Sequence, residues 1–241
     1  MTLNGKTVLV TGGARRLGRV MALEAARAGA DLIIHHGHST QEAQETQELI
    51  RDLGKQASIL KADFQDPDSI QQLMDEALAL GPLYALINSA AIFGSESWDA
   101  TSLSTWNDHL QINLTAPFLL SQRFASALPE TRKARIINIL DWRALRPGAD
   151  HFAYTISKAG LAALTRSLAV ALAPRITVNG LALGAILPPS GGEADQDLLD
   201  PVPADRWADL EELEDTLHFL LTGPGYITGE IIHLDGGRHL V

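Results

Sequence analysis

Short apolar runs alternate with longer stretches of helical periodicity along the whole 241-residue chain. No other feature constrains the fold as strongly. Thr7–Thr11, Asp31–His35, Ala57–Ala62, Leu83–Asn88, Arg135–Leu140, Thr177–Leu181 and Glu230–Leu234 read as strands. Leu17–Ala28, Thr40–Leu53, Pro67–Leu80, Leu103–Leu128, Tyr154–Leu172 and Leu210–Leu221 read as helices, with a kink expected at Pro117. Strands separated by helices need crossover connections, so the sheet is mostly parallel and carries helices on both faces. No linker or repeat divides the chain. One doubly wound α/β domain over residues 1–241 is expected, with a seven-stranded sheet. Its one irregular excursion is the Pro-, Gly- and Asp-rich segment at about 184–209. In such sheets ligands lie beyond the carboxyl ends of the strands, so the residues after each strand carry the functional argument.

The first of these turns is "TGGARRLG", Thr11–Gly18. Gly12, Gly13 and Gly18 let the backbone turn tightly and approach a pyrophosphate, whose charge the following helix N-terminus favours. This is the Rossmann arrangement; glycines alone also suit a plain tight turn. Arg15 and Arg16 add charge-assisted donors for phosphate or for an acidic or planar substrate.

After strand two comes His35-His36-Gly37-His38-Ser39-Thr40. An NAD site places Asp or Glu here for the ribose 2′-hydroxyl. Three imidazoles and two hydroxyls stand instead, which accept a 2′-phosphate, so NADPH/NADP is the cofactor expected. Asp63, after strand three, is a candidate acceptor for the adenine amino group and equally a turn residue.

Tyr154 and Lys158 are four apart on a helix and share a face. A lysine cation near a phenol lowers its pKa and makes it a proton shuttle. Asn113 stands mid-helix, where its propensity is poor, which points to a polar role or simply a wet helix face.

With these pieces in place the chain resembles the short-chain dehydrogenase/reductases. The matching segments are "TGGARRLG", "INSAA", "INLTAPF", "YTISK", "ITVNGLALG" and "YITGEIIHLDGG", in that order. The resemblance implies a reductase in which Tyr154 donates a proton, Lys158 holds the nicotinamide ribose and tunes Tyr154, and Asn113 supports a water-linked relay. It also implies a homotetramer or homodimer. Three departures are similar to the pteridine reductase branch. Asp141 stands thirteen residues before Tyr154, where most members have serine; Arg16 replaces a glycine; and "NSAA" occupies the usual "NNAG" element.

On that resemblance Phe93 stacks on a pterin, Arg16 contacts phosphate and pterin, and Asp141, Trp142 and Tyr154 face the substrate. Ala91 replaces a serine of the branch, so one hydroxyl contact is missing. The cofactor contacts implied are Gly12, Arg15, Arg16, Leu17 and Gly18 in the first turn and His36, His38 and Ser39 in the second. Asp63, Asn88, Ala90, Tyr154, Lys158, Gly184 and Ile186 complete them. Asp141 has a plainer alternative as a solvent-facing strand-end carboxylate, and Trp142 as a packed aromatic. Similar bacterial enzymes reduce dihydropterins such as dihydromonapterin or dihydrofolate. An ionised Asp is acceptor-only and disfavours tyrosinate, which suits reduction by a protonated Tyr154.

Two other readings stand beside this one. A reductase of a ketone, sugar or 3-oxoacyl thioester accounts for everything except Asp141, Arg16 and Phe93. A non-catalytic NADPH-binding sensor is opposed by the intact Asn113, Tyr154 and Lys158. The absence of cysteine excludes disulfides, thiolate catalysis and cysteine zinc sites, and no metal site is read. The net charge of −10 argues against a nucleic-acid partner. No apolar run reaches a membrane span of roughly 18 residues. The N-terminus enters a strand without a visible signal peptide, so a cytoplasmic location is expected.

Overall fold

The computed structural model describes residues 2–188 and 199–241. Seven strands form one sheet: β1 (Thr7–Val10), β2 (Asp31–His36), β3 (Ala57–Lys61), β4 (Leu83–Asn88), β5 (Ala134–Asp141), β6 (Ile176–Leu183) and β7 (Ile231–Leu234). Their order is β3-β2-β1-β4-β5-β6-β7, and every pairing is parallel. The chain builds outward from β1 to β3, then crosses back to lay β4 on the other side of β1. That reversal opens the crevice in which such sheets hold ligands.

Parallel strands covered on both faces read as continuous apolar runs. β5 is buried along its length until Asp141, which is half-buried at its carboxyl end. One face of the sheet is covered by α1 (Arg16–Arg27), α2 (Thr40–Asp52) and α7 (Leu210–Thr222), whose Met21, Ile50 and Leu217 are fully buried. The other is covered chiefly by α3 (Pro67–Ala79) and α5 (Ala116–Ala127), through Ile70, Met74, Leu120 and Phe124. Each such side chain contributes roughly 1.5–3 kcal/mol by leaving water.

Helix starts differ in a way that bears on function. At α3, Asp66 caps the backbone N–H of Asp68, and α7 opens on a capping box of Asp209 and Glu212. These caps satisfy N–H groups that a helix end leaves orphaned. At α1 and α2 the cap residues Arg15 and Ser39 make no side-chain cap bond, and α1 has no acidic residue in its first turn.

The single helix expected over 103–128 is two helices. α4 (Leu103–Leu110) passes through a π-helical turn, Gln111–Thr115, into α5. Ala116 N–H donates to the Gln111 carbonyl, five residues back. Pro117 explains the form of the break. It has no N–H for the carbonyl of Asn113, and its ring would press on that carbonyl in a regular helix. The disturbance is therefore a widened turn before the proline rather than a kink at it. α6 (Phe152–Leu172) starts two residues earlier than expected, after His151 in the left-handed conformation, φ 50°. Of the 184–209 excursion, residues 189–198 lie outside the described residues; Leu199 and Val202 are buried. Among the described residues no helix is long and apolar enough to cross a membrane.

Candidate active site

The turn after β1 is built for close backbone approach. Gly12 has φ 64°, and a side chain there would press on Ala90, its Cβ 3.0 Å from the Ala90 Cα. A side chain at Gly18 would collide with the Gly12 carbonyl. Thr11 Oγ1 accepts from the N–H groups of Ser89 at 2.9 Å and Ala90 at 3.0 Å, tying the exit of β4 to this turn. Arg16 holds φ 50°, a conformation that costs a side-chain-bearing residue roughly 1–2 kcal/mol. Its Nη2 donates to the Pro188 carbonyl at 2.6 Å, linking the first turn to the segment beyond β6. Arg15 is exposed and Leu17 half-buried.

The second turn corrects the sequence reading. Only one of its three imidazoles is exposed, His38. β2 is an interior strand, so its successive residues His35 and His36 point to opposite faces and both are buried. His35 has a different task. Gly12 N–H donates to its Nδ1 at 3.1 Å, and its Nε2 lies 3.1 Å from the Ala62 carbonyl, to which it donates. Phe64 stacks flat on it at 4.2 Å. Burial lowers its pKa to about 4, so the ring is neutral, as this pattern requires. His36 Nδ1 is buried without a partner. His38 is exposed and Ser39 half-buried. Asp63 Oδ1 accepts from Gln65 N–H at 3.0 Å, its turn role.

The chemical centre assembles at the ends of β5 and α6. The Tyr154 hydroxyl donates to Asp141 Oδ2 at 3.1 Å. Lys158, one turn further, is buried and donates from Nζ to the Ile139 carbonyl at 2.7 Å. Burial first, then the Asp141 carboxylate, pushes the Tyr154 pKa well up. The lowering by Lys158 that the four-residue spacing suggests is not what this arrangement gives. Burial brings Lys158 itself down to about 8, against the opposing pull of Asp141.

A closed circuit of contacts surrounds this pair. Asp141 Oδ1 accepts from Arg143 N–H at 2.9 Å, and the Arg143 guanidinium donates to Asp150 at 2.7 Å. His151 follows Asp150, stacks on Phe93 at 4.3 Å and donates from Nδ1 to the Gly94 carbonyl at 2.8 Å. Phe93 meets Tyr154 edge-on at 4.6 Å. Phe93 is 60% exposed, so much of its ring remains open to a ligand.

Asn113, carried by the π turn, holds the backbone beside Phe93. Its Oδ1 accepts from Ile92 N–H at 2.9 Å, and its Nδ2 donates to the Ile92 carbonyl and to Ser157 Oγ, both at 3.0 Å. Asn88 turns inward to Asn138 at 2.8 Å, leaving its own Oδ1 buried and unpartnered. Gly184 packs on Asp235, where a Cβ would stand 2.6 Å from the backbone, and Ile186 is buried beside it in sequence. Trp142 is half-buried in a 3-10 turn, Trp142–Ala144.

Several contributors escape the sequence reading. Thr11 and Ser157 lie inside the quoted segments "TGGARRLG" and "YTISK" without a role read for either, and His151 has no motif of its own; its signal was its place just before the Tyr154 helix. Arg143 was visible as a charge two residues after Asp141, but its link to Asp150 depends on how the loop closes.

Residues 6–198 match the family model for short chain dehydrogenase. The 3-oxoacyl-[acyl-carrier-protein] reductase of Aquifex aeolicus is 32% identical, over 98% of this chain and 98% of that protein. The 2-dehydro-3-deoxy-D-gluconate 5-dehydrogenase of Escherichia coli is 32% identical, over 98% and 96%. Among solved structures, an alternative dihydrofolate reductase from Brucella canis complexed with NADP superposes with a TM-score of 0.92 at 34% identity, covering 100% of this chain and 97% of that one.

Proposed function

The chain belongs to the short-chain dehydrogenase family, and from that premise we propose that it is an NADPH-dependent reductase of a pterin-like C=N bond. The observation that carries this reading is the 3.1 Å bond from the Tyr154 hydroxyl to Asp141. Where a serine would offer a neutral donor to a carbonyl oxygen, this centre offers an acceptor-only carboxylate to the N–H edge of a heterocycle.

The residues present fit NADP. The uncapped N-terminus of α1, flanked by Gly12, Gly18, Arg15 and Arg16, suits a pyrophosphate. Ser39, with no cap bond, and His38 suit a 2′-phosphate, with no acid on the second turn to repel it. Lys158, one turn from Tyr154, is the residue proposed to hold a ribose. When bound, NADPH supplies the hydride. Tyr154 delivers the proton to the imine nitrogen, and Asp141 holds the N–H edge while keeping the phenol protonated. Phe93 gives one wall of the stack, kept in place by Asn113 through Ile92 and by His151.

A second reading, reduction of a carbonyl, is favoured by the names of the two curated relatives, both of which act on oxygen-bearing substrates. NADPH oxidation measured against dihydrobiopterin, dihydromonapterin, dihydrofolate and a set of ketones separates the two. Good ketone turnover with no pterin turnover overturns the pterin reading.

A further inference from the structure

This chain, with a formal net charge of −10, gathers cations around Trp142. The guanidinium carbon of Arg143 lies 4.4 Å from the Trp142 ring centre, and that of Arg238 lies 4.8 Å from it. Arg238 opens the C-terminal 3-10 turn, Arg238–Leu240, and so comes from the far end of the sequence. The two arginines are not equivalent. Arg143 is matched by Asp150 at 2.7 Å and has Asp141 at 3.8 Å. Arg238 makes no ion pair among the described residues, and its Nη1 is buried without a hydrogen-bond partner. Burial, then the positive charges of Arg143 and Arg146, lowers its pKa. Three guanidiniums thus share this corner with two carboxylates, Asp141 and Asp150.

A buried donor with no acceptor is costly, and a guanidinium offers a planar fork that matches an oxyanion. The indole fixes where that fork sits. The corner lies beside the chemistry, since Trp142 directly follows Asp141. Resting on the pterin reading of the centre, we propose that Arg238, seated on Trp142, is a specificity subsite for a carboxylate at the far end of the substrate. The preferred substrate is then a dihydropterin with an acidic tail. A free anion from solution shares this chemistry, and the test separates the two sources.

Wild type, Arg238→Leu and Arg238→Lys are compared by kcat/KM with dihydrofolate, which has an acidic tail, and dihydrobiopterin, which has none. Wild type favours dihydrofolate. In Arg238→Leu the ratio falls about tenfold or more, the scale of one charge-assisted contact, mainly through the KM for dihydrofolate. Arg238→Lys restores part of it, since the charge survives and the fork does not. The tail fragment 4-aminobenzoyl-glutamate competes with dihydrofolate in wild type and loses that competition in Arg238→Leu. An unchanged ratio overturns the proposal. So does inorganic phosphate competing as well as the tail fragment, which makes the site one for free anions. A ketone pair, one acidic and one its neutral amide, runs alongside. If no pterin is reduced, the reading of the centre fails, and the subsite stands or falls on whether the acidic ketone depends on Arg238. Circular dichroism checks folding. Should Arg238→Leu misfold, Arg238→Gln replaces it, and failure of the tail fragment to compete in wild type overturns the proposal.

Discussion

The Tyr154 hydroxyl donates a hydrogen bond to Asp141 across 3.1 Å, while Lys158 on the same helix face turns its ammonium to the Ile139 carbonyl. The phenol's nearest ionic partner is therefore an anion. An adjacent carboxylate works against tyrosinate, and burial adds to it. The centre is set to give a proton rather than to take one, which is the direction a reduction needs.

Tyr154→Phe removes that proton and leaves the ring that meets Phe93. The expected fall in kcat is about 10²-fold or more, the scale of a lost general acid. NADPH affinity, read by fluorescence titration, stays near wild type. Unchanged turnover removes Tyr154 from the chemistry.

Much of this was legible in the sequence. The strand–helix alternation specifies the parallel sheet, because each crossover leaves few topologies. Tyr154 and Lys158 share a face through helical spacing alone. The π turn at Gln111–Thr115 was hidden, since Gln-Ile-Asn-Leu-Thr keeps helical apolar spacing and only Pro117 signals trouble. The histidines of the second turn were hidden for another reason. His35 and His38 are the same residue type, and only pairing of β2 on both edges decides which one is buried. The Phe93–His151 stack joins residues far apart in sequence, which no local pattern reports.

Asp141→Ser tests the feature that departs from most of the family. It removes the acceptor for Tyr154 and for Arg143 N–H but leaves a small polar side chain at a half-buried strand end. Pterin kcat/KM is expected to fall about tenfold or more, with one charge-assisted contact of roughly 1.5–3 kcal/mol lost. Ketone turnover rises relative to it. Intact pterin turnover rules out a role for Asp141 in binding the heterocycle.

The proposed cofactor choice rests on the second turn, where His38 is exposed and Ser39 makes no cap bond while His35 and His36 are buried. NADPH is expected to exceed NADH in kcat/KM by about tenfold or more. Ser39→Asp, which brings a carboxylate to the same place, narrows or reverses that ratio. Equal use of both cofactors by wild type contradicts the assignment.

Lys158 predicts an alkaline limit. Its pKa of about 8 means the free enzyme loses this cation as pH rises past that value. The kcat/KM for NADPH, which reports the free enzyme, falls above about pH 8. Stability moves the other way. Between about 8 and the ordinary lysine value the unfolded chain binds more protons than the folded one, so this group's contribution to stability grows as pH rises. Activity lost at pH 9 without a lower Tm is the signature. A drop in Tm that tracks the loss of activity points to unfolding instead.

His35 sets the acid limit. Its folded pKa of about 4 lies below the 6.5 of a free histidine. The unfolded chain therefore takes up a proton between pH 6.5 and 4 that the folded chain refuses. The stability from the neutral ring is fully present above 6.5 and drains away as pH falls through this window. The shift corresponds to about 3 kcal/mol, at 1.36 kcal/mol per pKa unit. Protonation also removes the acceptor for Gly12 N–H, so the first turn loses its anchor to β2. His35→Leu cannot titrate and cannot hold Gly12. It is expected to be less stable than wild type at pH 7, to bind NADPH more weakly, and to show a shallower decline of Tm between pH 6.5 and 4. The comparison of slopes is what counts, because surface carboxylates titrate in both proteins and cancel. Parallel slopes for the two proteins mean that His35 already carries its proton in the folded state, and the neutral-acceptor account of Gly12 is then wrong.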